Sequence, residues 1–159
     1  MIRIKKKDIL YTLQTINFLE KYRYLVKQYK NSFPEIMPKI DKKRVYEIIS
    51  KLGFVPGYKG DSFRLKNEKF GNISFEMTFK LKYAILDPSL IVFEEGELIY
   101  GGPWLKLVRE LVGDVDYMAG KPTFGSYEEL EEMLSIVFAI YSDFKSVLFE
   151  MKGITISER

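Results

Sequence analysis

Every odd position from Ile73 to Ile85 is apolar: Ile73, Phe75, Met77, Phe79, Leu81, Tyr83 and Ile85. Ser74, Glu76, Thr78, Lys80 and Lys82 lie between them. Side chains alternate across a strand, so this period of two predicts one long strand with a buried face and a wet face. A sheet wetted on one side is normally antiparallel. Asp87-Pro88-Ser89 then reads as a turn, and Glu95-Gly96 as a tight hairpin between Leu90–Glu94 and Glu97–Tyr100. An earlier strand near Ser62–Lys66 is expected to pair with the long one through a turn near Asn67. The sheet should then hold about four strands.

Helical spacing surrounds this sheet in the sequence. Residues 8–30 read as one long helix with two apolar stripes: Ile9, Leu13 and Ile16, then Tyr11, Phe18, Tyr22, Leu25 and Tyr29. Asn31, Ser32 and Pro34 should end it, with Pro34 and Pro38 in an irregular link. Asp41 is placed to cap a second helix through Leu52, with Gly53 as its stop. Pro103 and Gly113 bracket a short helix from Trp104 to Val112. Ser126 and Glu129 form a capping box. Behind it Leu130, Leu134, Val137, Tyr141, Phe144 and Leu148 make a stripe that suits packing across the sheet. The expected architecture is α+β: two N-terminal helices, an antiparallel sheet, a short helix and a long C-terminal helix. Its 159 residues fit one domain, 1–159, with a fraying end over residues 153–159.

Cysteine and histidine are both absent. That excludes disulfides, thiolate and imidazole metal sites, and every Ser-His or Cys-His mechanism within this chain. Carboxylate, lysine, tyrosine or arginine chemistry remains open, but no carboxylate pair is spaced to single out an acid and a base. No cofactor is expected. No apolar run nears the roughly 18 residues of a membrane span, so a cytoplasmic protein without a membrane partner is expected. Abundant Lys and Ile without Cys suits an AT-rich bacterium.

Charge is divided along the chain. Residues 1–70 carry 17 Lys or Arg against 7 Asp or Glu, a net +10; the remainder carries a net −7. Such asymmetry points to charged partners, unless the two parts neutralise each other in the fold. On the basic side lie Arg3, Lys5–Lys7, Lys21, Arg23, Lys27, Lys30 and Lys42–Arg44, interleaved with Tyr22, Tyr24 and Tyr29. That mixture suits nucleic acid, although no RNA- or DNA-binding motif accompanies it. On the acidic side, Glu128, Glu129, Glu131 and Glu132 open the last helix, where carboxylates favour the helix dipole. Glu94, Glu95 and Glu97 at the hairpin are expected to extend the same negative patch.

Two short motifs carry less. Asp114-Val115-Asp116 has the form of a metal-binding Asp-x-Asp, although a surface turn accounts for it better. Gly101-Gly102-Pro103-Trp104 precedes a helix, as phosphate-binding glycines do, but lacks a P-loop's spacing and lysine.

The hairpin, the Gly-Pro-Trp helix start and the run Phe124-Gly125-Ser126-Tyr127-Glu128-Glu129-Leu130 resemble small bacterial immunity proteins, the cognate inhibitors of polymorphic or contact-dependent toxins. The likeness covers about the last third of the chain and transfers no functional residue. It implies a non-catalytic module that binds a basic protein such as a nuclease toxin. The expected partner-binding residues are Glu94, Glu95, Glu97, Glu128, Glu131 and Glu132. The alternative is a nucleic-acid-associated or regulatory protein using the basic N-terminal half, and a carboxylate-dependent enzyme ranks last.

Overall fold

The computed structural model describes residues 3–30 and 39–153. The expected link at Asn31, Ser32, Pro34 and Pro38 lies outside them, as does the end after residue 153. Helices α1 (Lys6–Thr15), α2 (Phe18–Gln28) and α3 (Lys42–Lys51) precede strands β1 (Pro56–Lys59), β2 (Ser62–Leu65), β3 (Glu68–Phe70), β4 (Ile73–Lys82), β5 (Ile85–Glu94) and β6 (Glu97–Pro103). Helices α4 (Trp104–Val112) and α5 (Tyr127–Met151) complete the order. The fold is α+β, and its sheet is antiparallel throughout in the order β1-β2-β4-β5-β6, with β3 also on β4.

Among the described residues the sheet has six strands, not four, and the alternating run is not one strand. It breaks at Tyr83 and Ala84, whose φ angles of 54° and 61° form a two-residue hairpin. Ile85 therefore starts β5, and Tyr83 sits at the exposed tip. A Tyr-Ala pair disfavours positive φ, so tertiary contacts must hold the turn. The Phe124 N–H donates to Ala84 O at 2.9 Å and the Leu86 N–H to Pro122 O at 3.0 Å. The expected turn at Asp87-Pro88-Ser89 is instead mid-strand, opposite Lys80, Phe79 and Thr78. The two unforeseen strands are β1, which pairs with β2, and β3. β2 and β3 lie along the same edge of β4, and a kink at Lys66-Asn67 separates them.

Two helices also replace the expected single helix over 8–30. Thr12 and Thr15 donate their hydroxyls back to Asp8 O (2.7 Å) and Tyr11 O (2.9 Å), a pattern that loosens a helix. Asn17 then takes the left-handed conformation at φ 56°, which Asn tolerates better than most residues. The redirected chain buries Ile9, Leu13, Ile16, Phe18, Tyr22, Leu25 and Tyr29 in one core but leaves Tyr11 exposed. The remaining helix ends follow the sequence. The Asp41 carboxylate accepts from the Lys43 N–H, the Ser126 hydroxyl from the Glu129 N–H, and Gly113 closes α4 at φ 81°.

The core lies between α5 and the odd-residue face of β4. Phe75 packs edge-on against Tyr141, Phe144 and Phe149, and Phe79 meets Phe138. All six residues of the predicted α5 stripe are buried. The other sheet face is formed by Ser74, Glu76 and Thr78 of β4 and Ile85, Asp87, Ser89, Ile91 and Phe93 of β5, all partly exposed.

Two core tyrosines tie this packing to pH. Tyr22 donates to Gly120 O at 3.0 Å and Tyr141 to Glu68 at 2.9 Å. Burial pushes both phenols far above the usual value of 10.0, reinforced by Asp87 near Tyr22 and by Glu68 beside Tyr141. Above pH 10 the unfolded chain releases these protons while the folded chain keeps them. Stability is therefore fully present below pH 10 and falls as pH rises, by up to about 1.4 kcal/mol per pH unit for each tyrosine. Urea midpoints measured across this range should show the decline, and Y22F and Y141F should each flatten it. An unchanged slope in both variants would reject this assignment.

Candidate functional site

The six carboxylates proposed from sequence divide into two groups. Arg3 Nη2 donates to Lys152 O at 2.7 Å, at the C-terminal end of α5, and the Arg3 N–H donates to Glu94. The hairpin of Glu94, Glu95 and Glu97 therefore lies near that end. Glu128, Glu131 and Glu132 open the same helix, and its 25 residues span about 37 Å. The expected single patch does not form.

Glu94 is not on the surface. Its side chain is 2% exposed and accepts the Arg3 and Ile4 N–H groups, each at 2.7 Å. This carboxylate anchors the start of the described chain to the sheet. Asp8 braces the same corner by accepting from the Lys5 N–H at 2.8 Å and from Lys152 at 3.2 Å. Burial alone would raise the Asp8 pKa, but these two donors outweigh it and hold the carboxyl below its usual value. Glu94→Ala leaves two backbone donors without their acceptor, at a cost of about 1–3 kcal/mol in a urea titration. A loss near zero would show that water replaces the carboxylate.

At the opposite end, α3 faces the start of α5 across a charged seam. Lys51 pairs with Glu131 at 2.9 Å, Arg44 lies 4.1 Å above the Tyr127 ring, and the Asp41 N–H donates to Tyr127 Oη at 2.9 Å. Glu132 accepts from Tyr29 at 3.3 Å. Burial raises the Tyr29 pKa, and the neighbouring Glu132 charge adds to the effect. Glu128 and Glu132 remain exposed, whereas Glu131 is partly covered. These carboxylates hold the fold together as well as facing solvent.

The charge halves neutralise each other in part. Lys6–Glu110, Lys21–Asp143 and Lys51–Glu131 each join the basic first part to the acidic second. The basic clusters are also separated. Lys5–Lys7 lie by Asp8 and Lys152 at one end of α5, and Lys42–Arg44 lie by Tyr127 at the other. Lys42 stacks 3.8 Å from the Tyr58 ring, another use for a cation besides a phosphate.

The two short motifs resolve into local structure. Asp114 Oδ1 accepts the Asp116 N–H at 2.9 Å, which makes a turn, and both residues are exposed. Gly101 and Gly102, at φ 147° and 149°, take backbone angles that favour glycine where β6 meets α4. Lys106 Nζ donates to Gly101 O at 2.9 Å. Among the described residues, no three His, Cys, Asp or Glu side chains gather where they could hold a metal ion.

The outer sheet face carries a cluster that the sequence reading missed. Phe93 pairs with Ser74 on one side and Leu98 on the other, and Ile91 pairs with Glu76 and Gly101. Directly paired residues share a face. Ile91, Phe93 and Leu98 therefore lie side by side, with Glu76 among them and the exposed Glu95 and Glu97 at the adjoining hairpin. Leu98 is 61% exposed. The signal was the unbroken apolar run Leu90-Ile91-Val92-Phe93, which places apolar side chains on both faces of β5.

The chain matches no protein-family model, no curated protein and no solved structure.

Proposed function

We propose that this chain is a non-catalytic protein-binding module that engages a basic protein through the outer face of β5 and β6. The observation that carries this reading is the apolar group Ile91, Phe93 and Leu98 beside Glu76, with the exposed Glu95 and Glu97 at the adjoining hairpin tip. Central apolar anchors supply most affinity in protein interfaces, and rim charges mainly set the association rate. An acidic rim around apolar anchors suits a basic partner, and stoichiometric inhibition of a toxin such as a nuclease is the form we favour. Such inhibition needs no catalytic residue. Glu128 and Glu132 form a second acidic surface, but among the described residues it has no adjoining cluster of this kind.

The test first captures the partner from the source cell and identifies it by mass spectrometry. Binding kinetics are then measured for two variants that leave the core untouched. Glu95→Lys with Glu97→Lys should lower the on-rate about tenfold at low salt and reduce its salt dependence. Leu98→Asp should instead speed dissociation. Capture of chiefly nucleic acid, or weakening only on reversal of Lys5, Lys6 and Lys7, would replace this reading with the nucleic-acid one. Weakening only on reversal of Glu128 and Glu132 would move the interface to the start of α5.

A further inference from the structure

A second feature, independent of the outer sheet face, lies where the sheet edge splays. From Phe63 to Glu68 the edge advances five residues, while its partner β4 advances four, from Phe79 to Phe75. The extra residue is a bulge at Lys66-Asn67, and bulges bend the strand that carries them. The Lys66 N–H still donates to Val55 O at 2.8 Å. Beyond that bond, β3 and residues 53–55 enclose a cleft of about 370 Å³ lined by Phe54, Val55, Lys66, Glu68, Lys69 and Phe70. That volume is within the range of small-molecule sites.

The charges at its inner end are already matched. Glu68 accepts from Lys145 at 2.6 Å and from Tyr141 at 2.9 Å. The Lys145 ammonium lies 4.1 Å from the Tyr141 ring centroid and 5.9 Å from those of both Phe54 and Phe70. An aromatic enclosure of this kind would attract a cation, but the protein's own lysine fills it. Glu68 is neutralised by the same group. The charges left to a ligand are the exposed Lys66 and Lys69. Asn67, also at the cleft, gives its amide oxygen to Arg64 at 2.7 Å and so presents its NH₂ donors. Apolar ring surface from Phe54 and Phe70 therefore lies beside positive charge and an amide donor.

We infer that this cleft binds a flat aromatic ring bearing an anionic group. The ring packs on Phe54 and Phe70, where aromatic contacts add to area burial. The anion is held by Lys66 and the Asn67 amide, and Lys69, which pairs with Ser74 on the other face of β3, adds positive charge at the cleft's rim. A nucleotide and an aromatic carboxylate share this chemistry, and separate probes distinguish them.

The probes are adenosine 5′-monophosphate and indole-3-acetate, with neutral adenosine and inorganic phosphate as controls. Each is titrated into the full chain and followed by amide chemical shifts. At least one aromatic anion should bind with a dissociation constant below about 1 mM, and adenosine and phosphate should bind at least about tenfold more weakly. Shifts should centre on Phe54, Asn67 and Phe70. Lys66→Glu with Lys69→Glu, both on exposed side chains, should keep the melting temperature and lose about tenfold in affinity. The inference is overturned if neither aromatic anion binds below about 1 mM, if the shifts centre elsewhere, or if the double reversal leaves affinity unchanged.

Discussion

Gly101→Ala is expected to prevent folding or to remove more than about 4 kcal/mol of stability. Gly101 pairs with Ile91 in the β5–β6 ladder. A Cβ there would lie 2.2 Å from Leu90 O and 2.6 Å from Ile91 Cα. Both are backbone atoms, so no side chain can rotate away, and β6 would have to leave β5. The φ of 147° adds a strain that only glycine avoids. Gly113→Ala separates the two effects. Gly113 also has positive φ, at 81°, but its Cβ would meet nothing within 4 Å. It should cost about 1 kcal/mol, the conformational part alone. Thermal melts of the two variants test the contrast. A Gly101→Ala melt close to that of Gly113→Ala would mean that the ladder opens at little cost.

The same ladder shows why parts of the fold were legible in the sequence. Glu95-Gly96 could be read as a hairpin because Gly supplies positive φ without penalty and the flanking residues favour strands. The α5 stripe and its Ser126 cap were readable because both signals are local. Tyr83-Ala84 was not readable as a turn. Neither residue favours positive φ, and the bonds that hold the turn come from residues 122 and 124, far along the chain. A two-residue turn moves the buried positions from odd in β4 to even in β5, but Ile85 is apolar although it lies on the outer face, so it looked like one more strand residue. The Asn17 break was missed for the opposite reason. Its local signals, two threonines and an asparagine, were present but were outweighed by the apolar stripes.

The candidate surfaces were less legible than the fold. Charge can be counted from sequence, but grouping depends on where a 25-residue helix carries its two ends. Glu94, Glu95 and Glu97 are neighbours in sequence, yet Glu94 is buried by the N-terminal backbone and the other two face solvent. The Ile91, Phe93 and Leu98 cluster needs the β5–β6 register, including its bulge after Val92. The Phe54–Phe70 cleft needs the bulge at Lys66-Asn67. Neither irregularity leaves a pattern that alternation alone reveals.

The two sheet faces make opposite predictions for phenylalanine. Phe75 is 1% exposed and its ring meets those of Phe70, Tyr141, Phe144 and Phe149 at 5.7–6.3 Å between centroids. Phe75→Ala deletes the side chain that joins α5 and β3 to β4, and the surrounding aromatic rings cannot collapse into the space. The cost should be about 3–5 kcal/mol, the transfer energy of the ring plus the cavity. Phe144→Ala should cost a similar amount, because it removes the other half of one of these contacts. Phe93 lies on the outer face, where water replaces its lost contacts. Phe93→Ala should cost about 1 kcal/mol or less, and Lys80→Ala, an exposed control on the same face, less still. Urea titrations give these differences directly. Equal losses for Phe75→Ala and Phe93→Ala would reject the strand register, since a slip of one residue exchanges the two faces. With the register secure, Phe93→Ala becomes the cleanest probe of the outer surface. It should leave folding intact and weaken a partner that docks on Ile91 and Leu98, whereas Lys80→Ala should leave that affinity unchanged.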